Sequence, residues 1–496
     1  MKLELRGHNE RYTVEQELLT LFPGELPVYG PIEDTDPSWA VAALEEDGDR
    51  CQVTVELCHR GNRGESRQEE RLTGDAYARE GRRRHLIGRG FFLAARQAVG
   101  MAPPWGMLSG VRPDKLTARA LRGGSTASQA RELLERDYFV TPSRAALAAE
   151  TGAAALRAEA DLEPLDIAVY VGIPFCPTRC AYCSFVSQSV EKSFPLVSPY
   201  VEALVGEIQS GGALAHRLGL RVRAFYMGGG TPTTLGAEQL RQVLDAFRQS
   251  FDTSACEEYT VEAGRPDTIT ADRMAVLRDW GVTRISVNPQ SMEDRVLQAI
   301  GRRHTALDVE RAMELAKAFP CVNMDLIAGL PEDTPEGFAR TLERCLSFGP
   351  ENLTVHTLSL KKGSRVLTEG IAIPDAASVG EMLDLAYPAL RQGGYAPYYL
   401  YRQKYASGSF ENTGWCRPET ECRYNIYMMS ELCGIFSFGA GGSTRLTDAG
   451  GRHIRRLVNP KYPAEYLQRP GLATAETAEA VEDFYAKYLL GGQDHE

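Results

Sequence analysis

Three cysteines fall within eight residues at Cys176-Pro-Thr-Arg-Cys180-Ala-Tyr-Cys183, directly after an apolar stretch at 167–173 with the composition of a strand. Thiolates this close in one loop can converge on a single metal centre. Structural zinc usually takes two separated pairs of ligands and four protein donors. A four-iron cubane normally takes four thiolates. Here the run stops at three, because Ser184 and Phe185 follow. Three ligands on a cubane leave one iron open to something other than protein, which suits catalysis and not a purely structural or electron-transfer site. Phe175 and Phe185 could shield such a cluster from water. The alternative is a zinc knob completed by a distant His or Cys; the ligand spacing and the strand-end position speak against it.

Such a centre needs a scaffold that gathers strand ends. From about residue 166, strand candidates at 167–173, 222–227, 257–262, 283–288, 322–327 and 352–358 alternate with helical stretches at 198–218, 237–250, 271–280, 307–318, 335–347 and 377–392. Six βα units in succession predict an α/β fold with a parallel sheet covered by helices, doubly wound or curled into a barrel. In both, functional residues collect at the C-terminal ends of the strands. The cysteine loop stands at one such end. Gly228-Gly229-Gly230-Thr231-Pro232-Thr233 stands at the next, where missing side chains let backbone approach a ligand closely. Alone, that triplet could be only a strand-to-helix turn.

The flanking segments differ. Residues 1–165 read as an N-terminal α+β extension, with an alternating strand at 51–59 and helices at 89–101 and 128–137. Nine Arg lie within 60–89, either as an anion-holding face or as a solvated face neutralised by Glu65, Glu69, Glu70, Asp75 and Glu80. Residues 166–393 would form the barrel. Residues 394–496, rich in Tyr and Gly, would form a C-terminal cap over the substrate.

The 496-residue length suits two or three domains, or one large domain with an extension. A chain 43% hydrophobic and 24% charged is globular in composition, which excludes disorder as its main character. The net charge of −11 disfavours a surface built to bind nucleic acid, and none is expected as a partner. The start lacks a basic stretch followed by an apolar run, and no apolar stretch of about 18 residues occurs. A cytoplasmic protein with no membrane span is expected. An odd count of 11 cysteines without a leader argues against a disulfide framework.

The Cys-x3-Cys-x2-Cys spacing, with Tyr182 before the last cysteine, resembles the radical S-adenosylmethionine (SAM) superfamily. YVGIPFCPTRCAYCSF at 170–185 resembles one family within it, the oxygen-independent coproporphyrinogen III dehydrogenases and their heme-chaperone relatives, and the similarity runs through most of 168–445. The resemblance implies a partial (β/α)6 barrel and a [4Fe-4S] cluster on Cys176, Cys180 and Cys183 whose open iron chelates SAM. It places Gly228, Gly229, Gly230 and Thr231 against the amino acid end of SAM and Glu262 near its ammonium. Gln290 matches a polar contact, Arg302 a cation paired with the carboxylate, and Asp325 an acid on the ribose hydroxyls. On residue type alone, a strand-end acid such as Glu262 or Asp325 could equally cap a helix. Tyr170 matches a family tyrosine and is the candidate catalytic residue.

The chemistry so implied is reductive cleavage of SAM, hydrogen abstraction from a propionate β-carbon, and loss of an electron and carbon dioxide. Repeated on a second ring, it converts coproporphyrinogen III to protoporphyrinogen IX in heme biosynthesis, with an unidentified electron donor and acceptor. This chain departs from the best-known branch at Phe185 (a cysteine there), at Gly172 (a histidine there) and at RISVNPQS, 284–291. Its long extension and PYYLYRQKYASGSFENTGW at 397–415 resemble an extended branch of the family. The alternatives are a heme-binding chaperone that keeps the cluster and SAM site without decarboxylation, or a radical SAM enzyme on another tetrapyrrole.

A tetracarboxylate substrate needs local cations on a protein of this charge. Arg402, Lys404, Arg417, Arg423 and Arg445 lie among Tyr398, Tyr399, Tyr401, Tyr405 and Trp415, which suits a flat macrocycle with carboxylate arms. Half-buried tyrosines at a sheet edge would give the same pattern. FGAGGSTR at 438–445 could line the site or be only a turn. Cys416, Cys422 and Cys433 are too widely spaced for a second cluster. His304 follows Arg302 closely, and His356 ends the sixth strand as pocket lining or as a satisfied core histidine.

Overall fold

The computed structural model describes residues 1–490 except 34, 101, 184–186, 362, 404–406 and 449. They form two compact units with interleaved chain segments: Met1–Pro113 with Gly123–Ala149, and Asp114–Arg122 with the chain from Glu150 onward.

The first unit is built on a five-stranded sheet of β1 (Lys2–Arg6), β2 (Val28–Tyr29), β3 (Ser38–Asp47), β4 (Arg50–His59) and β5 (Asn62–Arg71), in the order β2-β1-β3-β4-β5. Strict alternation in β4 sends Cys51, Val53, Val55 and Leu57 to one face. There they share a core with Leu86, Ile87, Phe91 and Phe92 of the helix Ala76–Val99. The arginine-rich stretch runs through β5 and the start of that helix. Arg82 pairs with Glu70, Arg83 with Glu46 and Arg84 with Glu80. It is therefore a solvated face that neutralises itself, and exposed pairs of this kind contribute little to stability.

The second unit holds an eleven-stranded sheet. β6 (Asp166–Ile173) begins it; β7 (Phe175–Cys176) and β8 (Gln188–Ser189) pair only with each other. β9 (Arg221–Gly229), β10 (Glu258–Val261), β11 (Arg284–Ser286), β12 (Cys321–Ala328) and β13 (Asn352–Thr357) follow, each parallel to and beside the one before. A doubly wound sheet reverses its strand order at a switch point. No reversal occurs across these six, so the winding is that of a barrel wall. The intervening helices are amphipathic; Ala237–Ser250, for example, buries Leu240, Val243, Leu244 and Phe247.

Residues beyond 394 continue this sheet at both edges and do not build one of their own. β14 (Ala396–Arg402) and β15 (Glu411–Cys416) add antiparallel strands outside β13, while β16 (Gly434–Phe438) runs parallel to β6 and carries antiparallel β17 (Ser443–Thr447) and β18 (Ile454–Val458). The glycine-rich turn between β16 and β17 has left-handed backbone at Gly439 and Gly441. It is held from the helix Val190–Arg217 by Glu207, whose carboxylate accepts from Gly439 N (2.8 Å), Leu472 N (2.9 Å), Asn459 Nδ2 (2.9 Å) and Tyr466 OH (2.6 Å).

Side chains of the barrel strands divide by the two-residue period. Ile285, Val287, Met324, Leu326, Leu353 and Val355 are fully buried hydrophobics. The alternate positions are polar: Thr260 and Glu262, Ser286 and Asn288, Asn323 and Asp325, Thr354 and His356. These line a cavity of about 370 Å³ inside the barrel.

Candidate functional site

All three cysteines of the loop reach this cavity. Cys176 ends β7, and the loop after it is tied down by Ala181 N donating to Ile300 O (2.9 Å) and Thr178 Oγ1 to Gly301 O (3.3 Å). Thr231 Oγ1 donates to Cys176 Sγ (3.5 Å), and Arg265 Nη1 donates to Cys180 Sγ (3.8 Å).

The glycine triplet forms the adjoining edge. Gly230 N donates to Ile173 O (2.7 Å) and Thr231 N to Phe175 O (2.8 Å), so the end of β9 is sewn to the ends of β6 and β7. Gly229 has φ +109°, and a Cβ on Gly230 would stand 2.6 Å from Phe175 O. Gly229, Gly230 and Thr231 line the cavity. Gly228 does not; a Cβ there would meet Tyr226 at 2.9 Å and the Glu262 carboxyl carbon at 3.0 Å, so its role is to make room for both.

Glu262 follows β10 and faces the cavity, where it accepts a hydrogen bond from Tyr226 OH. Lost solvation pushes its carboxyl up to about 7, more than the Tyr226 bond lowers it. Asp325, in β12, is the opposite case. Burial raises it, but the neighbouring His356 imidazole and a hydrogen bond from Asn323 Nδ2 (2.8 Å) outweigh burial and hold it below the ordinary carboxylate value. His356 Nε2 lies 3.8 Å from Asp325, whose charge overcomes desolvation and raises the imidazole above its usual value. The two partners thus favour an ionised pair.

Gln290 has left-handed backbone (φ +68°) and inserts between Asp325 and Ile327: its N donates to Asp325 O (2.9 Å), and its O accepts from Ile327 N (3.0 Å). Its Oε1 is buried with no hydrogen-bond partner among the described residues. Arg302 Nη1 donates to Asn288 O (2.6 Å) and Nη2 to Tyr182 OH (3.2 Å), so the aromatic before the last cysteine holds this cation at the cavity wall. Tyr170 in β6 is in register with Tyr226 in β9. Their rings stack at 6.2 Å between centroids, and Tyr424 stacks on both, at 6.1 and 4.5 Å. Desolvation pushes the Tyr170 hydroxyl well above its ordinary value, which keeps it protonated.

The other candidates divide. Tyr398, Tyr399, Tyr401, His356 and Cys422 line the cavity; Cys416, Cys433 and His304 do not. Burial, followed by Arg302 and Arg265, pushes His304 down to about 3, so it is a neutral core imidazole. Phe175 packs edge-on against Tyr200 and is core, not cavity wall. The arginines expected to meet carboxylate arms are engaged elsewhere. Arg445 donates to the carbonyls of Tyr427, Met428 and Cys433; Arg423 pairs with Asp161; Arg402 Nε donates to Ser409 O; Arg417 covers the Tyr395 ring. Their fit to a macrocycle is not seen: they serve the sheet edges, and none of the four lines the cavity. Lys404, Tyr405 and Phe185 lie outside the described residues. Sequence reasoning missed Tyr226, Asn288, Tyr424 and Arg265. Tyr226 was findable, since it shares a strand face with Gly228.

Among the described residues, no three His, Cys, Asp or Glu side chains are grouped as a site for one metal ion. A cubane makes a different demand, because each thiolate binds a separate iron corner. Three thiols on one cavity wall, a glycine edge that a Cβ would fill, and an orphaned Gln290 acceptor beside an acid fit a cluster and an amino-acid-bearing ligand together.

Residues 170–345 match the Radical SAM superfamily. The chain is 36% identical over 396 residues to the oxygen-independent coproporphyrinogen-III oxidase-like protein HemZ of Bacillus subtilis, covering 78% of this chain and 79% of that protein. It is 27% identical over 325 residues to the heme chaperone HemW of Escherichia coli, covering 65% and 80%. Its fold resembles that of coproporphyrinogen III oxidase HemN from Escherichia coli, with a TM-score of 0.51 at 23% identity over 66% of this chain and 76% of that one. At this identity and coverage the chain belongs to the radical SAM superfamily, in the family of coproporphyrinogen-III oxidase-like proteins, and its cofactors are a [4Fe-4S] cluster and SAM.

Proposed function

We propose that this protein is a radical SAM oxidoreductase that oxidatively decarboxylates two propionate arms of coproporphyrinogen III, giving protoporphyrinogen IX. The observation that carries the proposal is one cavity running from the three cysteines, past Glu262 and Asp325, to a wall of tyrosines. A flat tetrapyrrole seated on that wall would share an enclosure with the cluster ligands, so that its reacting carbon is positioned and water is kept out. The 36% identity to a protein named as oxidase-like supports it.

In this reading Cys176, Cys180 and Cys183 hold the cluster, and when bound the cluster and SAM supply the one-electron chemistry that starts the reaction. The backbone of 229–231 borders the amino acid end of SAM, with Gly228 leaving space for Glu262 to take its ammonium. Gln290 Oε1 accepts from a ligand donor, and Arg302 faces the carboxylate. Asp325, kept ionised by His356, accepts from two ribose hydroxyls. Tyr170, protonated and stacked, orients substrate as a hydrogen-bond donor. A cytoplasmic setting and separate electron donor and acceptor proteins belong to the same proposal.

The second reading is a heme chaperone with the cluster and SAM site but no decarboxylation. It is favoured by the HemW relationship and by four arginines that turn away from the cavity. Cluster-loaded protein incubated without air with SAM, a reductant and coproporphyrinogen III separates the two. Vinyl products together with 5′-deoxyadenosine, identified by mass spectrometry, are expected. Tight heme binding with no turnover would establish the chaperone instead.

A further inference from the structure

Arg265 stands three residues after Glu262 and is 3% exposed. Asp267 grips one edge of its guanidinium with two bonds, Nε to Oδ1 and Nη2 to Oδ2, both 2.9 Å. The other side faces the cysteine loop: Nη1 donates to Thr178 O (3.2 Å) and to Cys180 Sγ (3.8 Å), and Nη2 donates to Thr178 Oγ1 (3.1 Å). A planar fork clamped along one edge has no freedom to turn its other donors away, which lysine could not reproduce.

The geometry points to Arg265 as a positioning residue that sets the reduction potential of the cluster through its hydrogen bond to the Cys180 sulfur. This rests on the assignment of Cys176, Cys180 and Cys183 as cluster ligands. Two parts of the contact set do different things. The Thr178 bonds fix the loop and touch no ligand atom. The bond to Cys180 places a buried, charge-assisted N–H on a ligand sulfur. Reduction adds one negative charge to the cluster, so such a donor stabilises the reduced form more than the oxidised form and raises the potential. Asp267 is the counter-charge, but it sits on the far edge of the guanidinium and is partly open to solvent. The local dipole therefore keeps its positive end toward the sulfur.

The test is a redox titration of anaerobically reconstituted full-length protein, followed by absorbance and electron paramagnetic resonance, with iron and sulfide content and circular dichroism measured alongside. Wild type must first load iron and sulfide and change its resonance signal on adding SAM; failure there removes the ligand assignment itself. In loaded Arg265→Gln, the reduction equilibrium is expected to fall about tenfold, 59 mV for one electron. Arg265→Lys, which keeps the charge, is expected to fall less, and Thr178→Val to leave the potential unchanged. An unchanged potential in loaded Arg265→Gln would overturn the inference. So would an equal drop in Thr178→Val, or folded Arg265 variants that load no cluster, since each would reduce Arg265 to a loop clip.

Discussion

At the scale of single residues, the site separates groups that must be charged from groups that must wait for a ligand. Glu262 is the waiting kind. With its carboxyl near 7, it is largely protonated in mildly acidic solution, so in the role proposed above, taking up an ammonium requires losing that proton. SAM affinity is therefore expected to fall as pH drops below about 7, approaching tenfold per unit, while Glu262→Gln binds more weakly with no such slope; equilibrium binding across the neutral range checks both. The sign for the ligand-free fold follows from the raised value. Glu262's contribution to stability is complete below the ordinary carboxylate range and is lost as pH rises through 7. If Cys180 is a cluster ligand as proposed, Cys180→Ala is expected to abolish cluster absorbance and SAM cleavage while leaving circular dichroism near wild type. The three cysteines stood out by type and spacing alone. The glycine triplet and the two strand-end acids stood out only through the family resemblance, since on residue type they could equally be a turn and helix caps. Arg265 was not legible, because its meaning lies in contacts to Thr178 and Cys180, 87 and 85 residues away.

At the scale of elements, the six parallel strands were legible because each is an apolar run between helices. A finer signal was also present. Polar residues two apart within such runs, as in Asn323 and Asp325 or Thr354 and His356, mark the strand face that turns into the barrel. The edge strands gave no such pattern. β15 is buried at all six positions although its sequence, ENTGWC, mixes polar, small and aromatic residues. That burial comes from long-range neighbours: β13 and β14 flank the strand, and Tyr387 of the helix Ala376–Gln392 packs on Trp415 and donates to Glu411. The turn at 438–445 depends on a residue far away in sequence. Replacing Glu207 by alanine would leave two backbone N–H groups, an amide and a tyrosine hydroxyl without their buried acceptor. A loss of roughly 3 kcal/mol is expected, with a smaller loss for Glu207→Gln, measured by denaturant unfolding.

At the scale of the whole molecule, composition marks the start of the βα units near 165, whereas the compact units divide between 149 and 150, inside the helix Pro142–Ala160, and the second also claims Asp114–Arg122. Composition carries no trace of that claim, because it is made by packing. Gly152 allows close approach to Thr117 and Ala118, and Lys115 pairs with Glu431. A fragment starting at Glu150 is thus expected to melt at a lower temperature than one that retains 114–122, read by thermal unfolding. No described helix is long and apolar enough to cross a membrane. The interleaved path bears on how the chain is made. A nine-residue helix leaves the ribosome amid segments of one unit, while Glu431, its acidic partner, is synthesised more than three hundred residues later. No single scission can part the two units cleanly, so the extension is no detachable module: adding or deleting it at one junction would carry off a piece of its neighbour.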